Sequence, residues 1–434
     1  MTEMLVSCAV VIASAVGSGA PPQPQPETLI RLTVDATRAP KPALKYLLLP
    51  EIGEMTQGNP IPNYLKCVLD QESKGTDAPL SRLALKQVDR AARMDKPDWQ
   101  ILPKLKTDGV SLLLPDVQKM RQLANELNGR FRDEVALRRF DDAIVTAKTM
   151  FALARHMGEH PTLIGGLVAV AIATVAIAPL EEMIGQPGCP NLYWALTALP
   201  HPFVPLDKGL EGERVFVGTE LRELDDTNPM TAAQLRKLMT HLDRVREIQR
   251  NEKKTGEWLA ERAKDEKNLV AARARLQEHG LRADRLALFS PYQVLLLEAK
   301  LDYEIQRDET MKYAPLPTWE ALAYIDKVPV PKETPLFSSF LSSLYSVRRA
   351  QGRLEQRLAL LRHVEALRLH AADHEGKLPQ KLSEVAVPLP VDPFSGKPFR
   401  YELVDGVGHL RGSPPKAGET NAVYHMHYEI IIRK

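Results

Sequence analysis

Three histidines near the C-terminus have the spacing of metal ligands on one face of a helix. His363, His370 and His374 are separated by seven and four residues, so a continuous helix brings them to the same side. Neutral imidazole is a common zinc ligand, and an H-x-x-x-H pair can hold one ion. We therefore predict a metal site at His370 and His374, which His425 or His427 from the last strand could complete. The alternative is that these histidines border the apolar face of the helix.

No other motif in the chain has the pattern of a catalytic site. The glutamate of an H-E-x-x-H motif is absent after His370, and no G-x-S-x-G elbow, phosphate-binding loop or dinucleotide fingerprint occurs. The acid pairs Asp141-Asp142 and Glu181-Glu182 are adjacent, so on a helix their members point about 100° apart and cannot oppose each other as acid and base. We predict no cofactor, and the catalytic residues of any enzyme here remain unknown.

The three cysteines are too few for a disulfide framework. Cys8, Cys67 and Cys189 show no C-x-x-C spacing, which argues against a cysteine metal site. Cys8 would leave with an N-terminal signal peptide. The other two would then either pair in an oxidising compartment or stay as buried free thiols.

The charge balance argues against nucleic acid as a partner. The net charge is +2, from 57 basic and 55 acidic residues, and aromatic residues make up only 6%. Nucleic-acid-binding domains usually carry a basic stripe or stacking aromatics. We expect protein partners, which the sequence does not identify. The overall composition is ordinary for a globular protein.

The start of the chain has the pattern of a secretory signal. Residues 4–17 are apolar and residues 18–20 are small, and a stretch rich in proline and glutamine follows. This order predicts a signal peptide at 1–20, and hence a periplasmic or secreted protein, although Glu3 replaces the usual basic start. We assign 21–44 to a Pro-rich linker and extended arm, with Leu29 to Val34 as a short strand.

From residue 45 to 335 the apolar positions recur at spacings of three and four, which predicts a helical domain. Proline, glycine and short polar breaks separate the segments, so we expect an irregular array of helix hairpins without a fixed repeat. The predicted helices include 79–94, 116–139, 140–158, 206–226, 230–252, 254–279 and 287–311.

Residues 163–180 form an uncharged apolar segment of a length that approaches a membrane span. Alanine and glycine dominate it, and glutamates rather than lysine or arginine flank it, which favours a helix in the core of a large helical domain. Membrane insertion is the alternative.

Residues 336–434 predict a long helix followed by a small sheet. The helix runs from about Ser338 to His374, and Gly376 and Pro379 stop it. Phe399 to Glu402 and residues 407–411 alternate as strands around an Asp-Gly turn, and 423–432 is strongly β-forming. The expected product is the helix packed on a three-stranded antiparallel meander, so the predicted fold class is mainly α with an α+β cap.

This module resembles the C-terminal region of major pseudopilins and type IV pilin-like proteins. The resemblance rests on the Gly-x-x-Pro stop and on Asp-Pro-aromatic-x-Gly-x-Pro-aromatic-x-Tyr at 392–401, within about 50 residues. The hydrophobic stem and the processing motif of pilins are absent, and the loop at 412–421 has one acid, Glu419. The resemblance therefore implies the fold element and neither filament assembly nor calcium binding.

The whole chain is also similar to uncharacterised exported proteins of planctomycete-type bacteria. The shared motifs are Pro-Ala-Leu-Lys-Tyr-x-Leu-Leu-Pro at 42–50, Asn-Leu-Tyr-Trp-Ala-Leu at 191–196 and Glu-Ala-Leu-Arg-Leu at 365–369. This similarity implies an architecture and no activity.

These observations predict a non-enzymatic exported cell-envelope protein that serves as a scaffold or protein-interaction module. One alternative is a hydrolase-type enzyme with a site in an inter-helix groove. The other is an envelope component inserted in the membrane through 163–180.

Overall fold

The computed structural model describes residues 27–73, 80–248, 254–325, 327, 336–337 and 342–434. The predicted signal peptide at 1–20 and the first residues of the predicted linker lie outside this range. So does the predicted helix start at Ser338.

Fifteen α-helices dominate the described residues and confirm the mainly α fold class. They are α1 Ile61–Glu72, α2 Arg82–Ala91, α3 Leu102–Asp108, α4 Pro115–Ala136, α5 Phe140–Gly158, α6 Leu163–Ile184, α7 Tyr193–Thr197, α8 Asp207–Glu220, α9 Ala232–Ile248, α10 Thr255–Ala263, α11 Glu266–Glu278, α12 Ala283–Leu286, α13 Pro291–Met311, α14 Thr318–Ile325 and α15 Ser342–Asp373.

The ends of these helices follow local sequence signals. Helix α5 begins with Asp141 and Asp142 in its first turn and ends with Arg155 and His156 in its last, as the helix dipole favours. Where one helix was predicted at 254–279, the structure has two. The side chain of Asp265 accepts a hydrogen bond from the N–H of Lys267 and caps a new helix, which separates α10 from α11.

The apolar segment predicted at 163–180 is helix α6, at the centre of the molecule. It packs against α4, α5 and α15, and its buried residues include Ala169, Ala173 and Ile177. Among the described helices, α6 is the one whose length and composition would allow a membrane crossing, yet 61% of its most apolar window is buried inside the protein. Its small residues let neighbouring helices approach closely.

The sheet has four strands, so the prediction of a three-stranded antiparallel meander was incomplete. Strand β1 Thr28–Val34 pairs in parallel with β4 Met426–Ile432. Strands β2 Arg400–Val404, β3 Val407–Arg411 and β4 form the predicted antiparallel part, in the spatial order β1-β4-β3-β2. The extended arm thus completes a mixed sheet, because its buried Leu32 and Val34 continue the apolar face of β4.

Two turns set the path into this sheet. Asp405 and Gly406, both at positive φ (50° and 79°), connect β2 and β3 as predicted. The carboxylate of Asp392 is buried, and it accepts hydrogen bonds from the N–H of Phe394 (2.8 Å) and from Nε2 of Gln356 (3.1 Å). The Asp-Pro loop is thereby fastened to α15.

The described residues contain two hydrophobic cores. The first joins α1, α2 and α4–α8 to α15 and the sheet, and the second joins residues between Leu221 and Phe337. The predicted division into 45–335 and 336–434 therefore differs from the division of the cores. Helix α15 packs on both α6 and β4, and its buried leucines belong to the same core as the sheet, which incorporates the cap into the first core.

Candidate binding groove and histidine cluster

A groove of about 500 Å³ runs along the free edge of β1. The last turns of α4 and α6 form its other wall. Its lining residues are Ile30, Arg31, Leu32, Thr33, Arg132, Val135, Ala136, Ala178, Glu181, Glu182, Gly185, Gln186 and Arg433.

The register of β1 leaves alternate backbone groups facing this groove. Thr28 donates its N–H to the carbonyl of His425 (2.9 Å), and Val34 accepts from the N–H of Arg433 (2.8 Å). In a parallel ladder the residues between them alternate, so the N–H and C=O groups of Leu29, Arg31 and Thr33 point away from β4. Within the described ranges, no residue accepts a hydrogen bond from the N–H of these three. Strand β1 thus presents an edge with open N–H groups, whereas the carbonyl of Thr33 is bonded to Arg433.

Arginine side chains surround this edge. Arg132 pairs with Glu182 at 2.8 Å on the helical wall, where both side chains are about half exposed. Arg433 pairs with Asp35 and also donates to the carbonyls of Thr33 (3.1 Å) and Gly185 (2.7 Å). The third arginine, Arg31, lies on the strand itself.

Behind the groove, Glu181 is held in a buried polar network. Arg357 donates to its two carboxylate oxygens at 2.9 and 2.6 Å, and the hydroxyl of Tyr428 donates to it as well. Burial, and then the charge of Glu181, raise the pKa of Tyr428 well above its usual value, so the phenol stays protonated and donates. The charge of Glu181 is therefore compensated from inside, and the three arginines around the edge are each paired with a carboxylate, Arg31 with that of Glu429.

A second polar cluster lies on the side of the sheet that faces away from α15. Nδ1 of His409 is 3.1 Å from Nε2 of His427, and a carboxylate oxygen of Glu429 is 3.9 Å from Nδ1 of His409. These three side chains place one ligand atom each within 4.8 Å of one another. Two further residues hold them: Glu27 lies 2.8 Å from Nδ1 of His427, and Arg31 lies 2.7 Å from the other oxygen of Glu429.

The structure brings the predicted ligands His370 and His374 together in a different geometry. Their rings stack in nearly parallel planes, with centroids 3.9 Å apart and an interplanar angle of 6°. Lone pairs of imidazole lie in the ring plane, so stacked rings direct them side by side rather than toward one point. In addition, Nδ1 of His374 lies 2.7 Å from the carbonyl oxygen of His370, to which it donates.

The other histidines of the prediction lie elsewhere. His363 is buried, packs edge-on against Phe399 and donates to the carbonyl of Ala359, so it belongs to the core. Burial lowers its pKa to about 4. His425 lies beside the carbonyl of Glu419, whereas His427 belongs to the cluster with His409.

A histidine–carboxylate pair also lines a groove of about 300 Å³ between α8 and α9. Nε2 of His241 is 2.6 Å from the carboxylate of Glu220. The hydroxyl groups in this lining belong to Thr219 and Thr240, and both donate to helix carbonyls four residues earlier. The groove therefore presents an acid–base pair beside hydroxyls that are engaged in the helix backbone.

The two cysteines among the described residues are buried free thiols. Cys67 lies in α1 and Cys189 lies beside α15. Burial raises the pKa of Cys189 to about 12, so its thiol is neutral at physiological pH.

No family model matches this chain, and neither a curated protein nor a solved structure is similar to it.

Proposed function

We propose that this chain is an exported cell-envelope protein that binds an extended segment of a partner protein by strand addition to β1. The open edge of β1 beside a groove is the observation that carries this proposal. An added strand would lie about 4.8 Å from β1 and would end at Thr33, where Arg433 joins the carbonyl of Thr33 to that of Gly185 at the end of α6.

The chemistry of the groove supports an acidic segment as the occupant. Arg31, Arg132 and Arg433 line it, and although each is paired with a carboxylate, Arg31 and Arg132 keep 72% and 50% of their side chains exposed, so a further acidic side chain can reach them. The outward N–H groups of Leu29, Arg31 and Thr33 and the outward carbonyls of Leu29 and Arg31 can pair with about five residues of an extended chain, a length of roughly 16 Å. Backbone pairing would supply affinity, and the arginines would select acidic side chains.

The described residues favour binding over hydrolysis. The groove beside β1 contains no serine, cysteine or histidine in its described lining, so it lacks a nucleophile–base pair. The groove at His241 has the base, but its two threonine hydroxyls are occupied in the helix backbone.

The proposed address rests on the signal-like pattern of residues 1–20 and on the similarity to exported planctomycete-type proteins. The C-terminal module is proposed to be pseudopilin-like in the connection from α15 to the sheet. Support comes from Gly376 at positive φ (78°) after the helix and from the Asp392 loop that packs on it.

Replacing Thr33 by proline tests the strand-addition proposal directly. Proline removes the outward N–H of residue 33 and leaves the ladder to β4 intact, because residues 32 and 34 make those bonds. The probe is a heptapeptide selected from a random phage-displayed library against the full chain, with affinity measured by fluorescence polarisation. We expect enrichment of Asp and Glu in the selected peptides. Thr33→Pro should weaken peptide binding about tenfold, because roughly one hydrogen bond is lost and the proline ring occupies the place of the N–H.

Thr33→Ala is the matched control, because it removes the same side chain and keeps the N–H. It should bind the peptide within about twofold of the parent, a difference well under one hydrogen bond. Equal affinity of Thr33→Pro and Thr33→Ala would contradict strand addition at this edge.

Cell fractionation tests the address. In a bacterial host with a periplasm, we expect the protein in the envelope fraction with a mass lower by about 20 residues. A carbonate wash should release it, because most of α6 is packed inside the protein. Full-length protein in the cytoplasm would contradict export, and retention in the washed membrane would favour the membrane-inserted alternative.

A further inference from the structure

We propose that His409, His427 and Glu429 form a zinc site that joins β3 to β4. This inference does not depend on the proposed function. It starts from the register of the sheet, in which His409 lies directly opposite Glu429 and Arg411 opposite His427. Residues 427 and 429 are two apart on β4, so their side chains point to the same face as that of His409.

The distances suit a tetrahedral ion. Two zinc–nitrogen bonds of about 2.0–2.1 Å at a tetrahedral angle separate their nitrogens by about 3.3 Å. Nδ1 of His409 and Nε2 of His427 are 3.1 Å apart, so an ion between them needs only a small opening. The carboxylate oxygen of Glu429, 3.9 Å from Nδ1 of His409, is within reach as the third ligand. A fourth position remains for water.

The surrounding residues orient these ligands as metal-site partners usually do. Glu27 can only accept, so Nδ1 of His427 donates to it and Nε2 keeps its lone pair toward His409. This is the carboxylate–histidine arrangement that fixes the tautomer of zinc ligands. Arg31 holds one oxygen of Glu429 at 2.7 Å and leaves the other oxygen toward the histidines. On zinc binding, the proton on Nδ1 of His409 moves to its Nε2, so the net charge of the histidines does not change.

The ligand chemistry selects the class of metal. Two imidazole nitrogens and one carboxylate suit zinc and related transition ions, whereas calcium and magnesium require oxygen ligands. The ligand side chains are mostly enclosed, at 6% exposure for His427 and 19% for the other two, which limits competition from water.

The test uses the full mature chain, treated with a chelator and then titrated with ZnCl₂ by calorimetry and with CoCl₂ by visible absorption. We expect one ion per chain and a tetrahedral cobalt spectrum without thiolate charge transfer. The variants His409→Ala, His427→Ala and Glu429→Gln should each lose binding. Glu27→Gln, which leaves the ligands in place, should weaken binding roughly tenfold or more.

The double variant His370→Ala/His374→Ala is the control, because it removes the histidine pair that the sequence pattern favours. It should bind zinc like the parent. Loss of zinc in this double variant, no binding by the parent, or parent-like affinity in any of the three ligand variants would overturn the proposal. Glu27→Gln lies outside the hydrophobic core, so it tests the same assignment if a ligand variant fails to fold.

Discussion

Replacement of Arg368 by methionine is expected to lower the free energy of unfolding by about 3–5 kcal/mol. The side chains of Arg368 and Glu365 are both fully buried, and the guanidinium donates to both oxygens of the carboxylate at 2.9 and 3.1 Å. It also donates to the carbonyls of Asp35 (3.0 Å) and Cys189 (2.7 Å). The variant therefore leaves a buried carboxylate without its cation and several carbonyls without a donor.

Urea unfolding followed by circular dichroism measures this loss. Arg38→Met is the matched control. Arg38 forms an exposed salt bridge with Asp373, which lies on α15 as Arg368 does. Exposed pairs contribute about 0–1 kcal/mol, so the control should hardly change the midpoint. Adding Glu365→Gln to Arg368→Met should recover part of the loss, because it removes the unpaired charge. Equal midpoints for Arg368→Met and Arg38→Met would show that this pair does not stabilise the first core.

Acidification from pH 7.5 to pH 5 is expected to destabilise the protein through three enclosed histidines. Burial lowers the pKa of His156, His160 and His363 from 6.5 to about 4. In the unfolded chain they take up protons below about pH 6.5, whereas the folded protein binds them only near pH 4. The contribution of the three neutral histidines to the stability of the fold is therefore fully present above pH 6.5 and is lost as the pH falls toward 4. Linkage gives about 2 kcal/mol per histidine at pH 5.

His363→Phe isolates one of these contributions. Phenylalanine keeps an aromatic ring against Phe399 and cannot bind a proton. The variant should therefore lose about 2 kcal/mol less than the parent between pH 7.5 and pH 5, by urea unfolding at each pH. The value at pH 7.5 serves as the internal reference. If both proteins lose the same free energy, His363 does not contribute to acid instability.

Local sequence signals were sufficient for most of the helices. The predicted helix at 140–158 matches α5, because acidic residues at its start and basic residues at its end mark both boundaries. The Asp405-Gly406 turn was equally local, since both residues tolerate positive φ. The break between α10 and α11 at Asp265 was not predicted. The helical periodicity continues through it, and one capping residue among many charged residues is a weak signal.

Long-range pairing was the part that the sequence could not determine. The segment from Leu29 to Val34 was predicted as a strand or arm, but its parallel partner is nearly 400 residues away, and a single sequence has no signal for that choice. The cluster of His409, His427 and Glu429 likewise forms only through strand pairing. His427 and Glu429 alternate on one strand, which a strand-face reading could have found, whereas the position of His409 depends on the register of β3. The sequence pattern predicted the metal site at His370 and His374 instead, because a spacing of four residues on one helix can be recognised without knowing any tertiary contact.

The parallel pairing of β1 with β4 also has a consequence for the order of events during synthesis. The ribosome makes β1 long before β4, because Arg31 and its partner Glu429 differ by 398 in residue number. The entropy of closing so long a loop can be offset only after the helical body has brought the ends together. The sheet is therefore completed last. A nascent chain that stops before Met426 leaves its first strand without the neighbour on which its register depends.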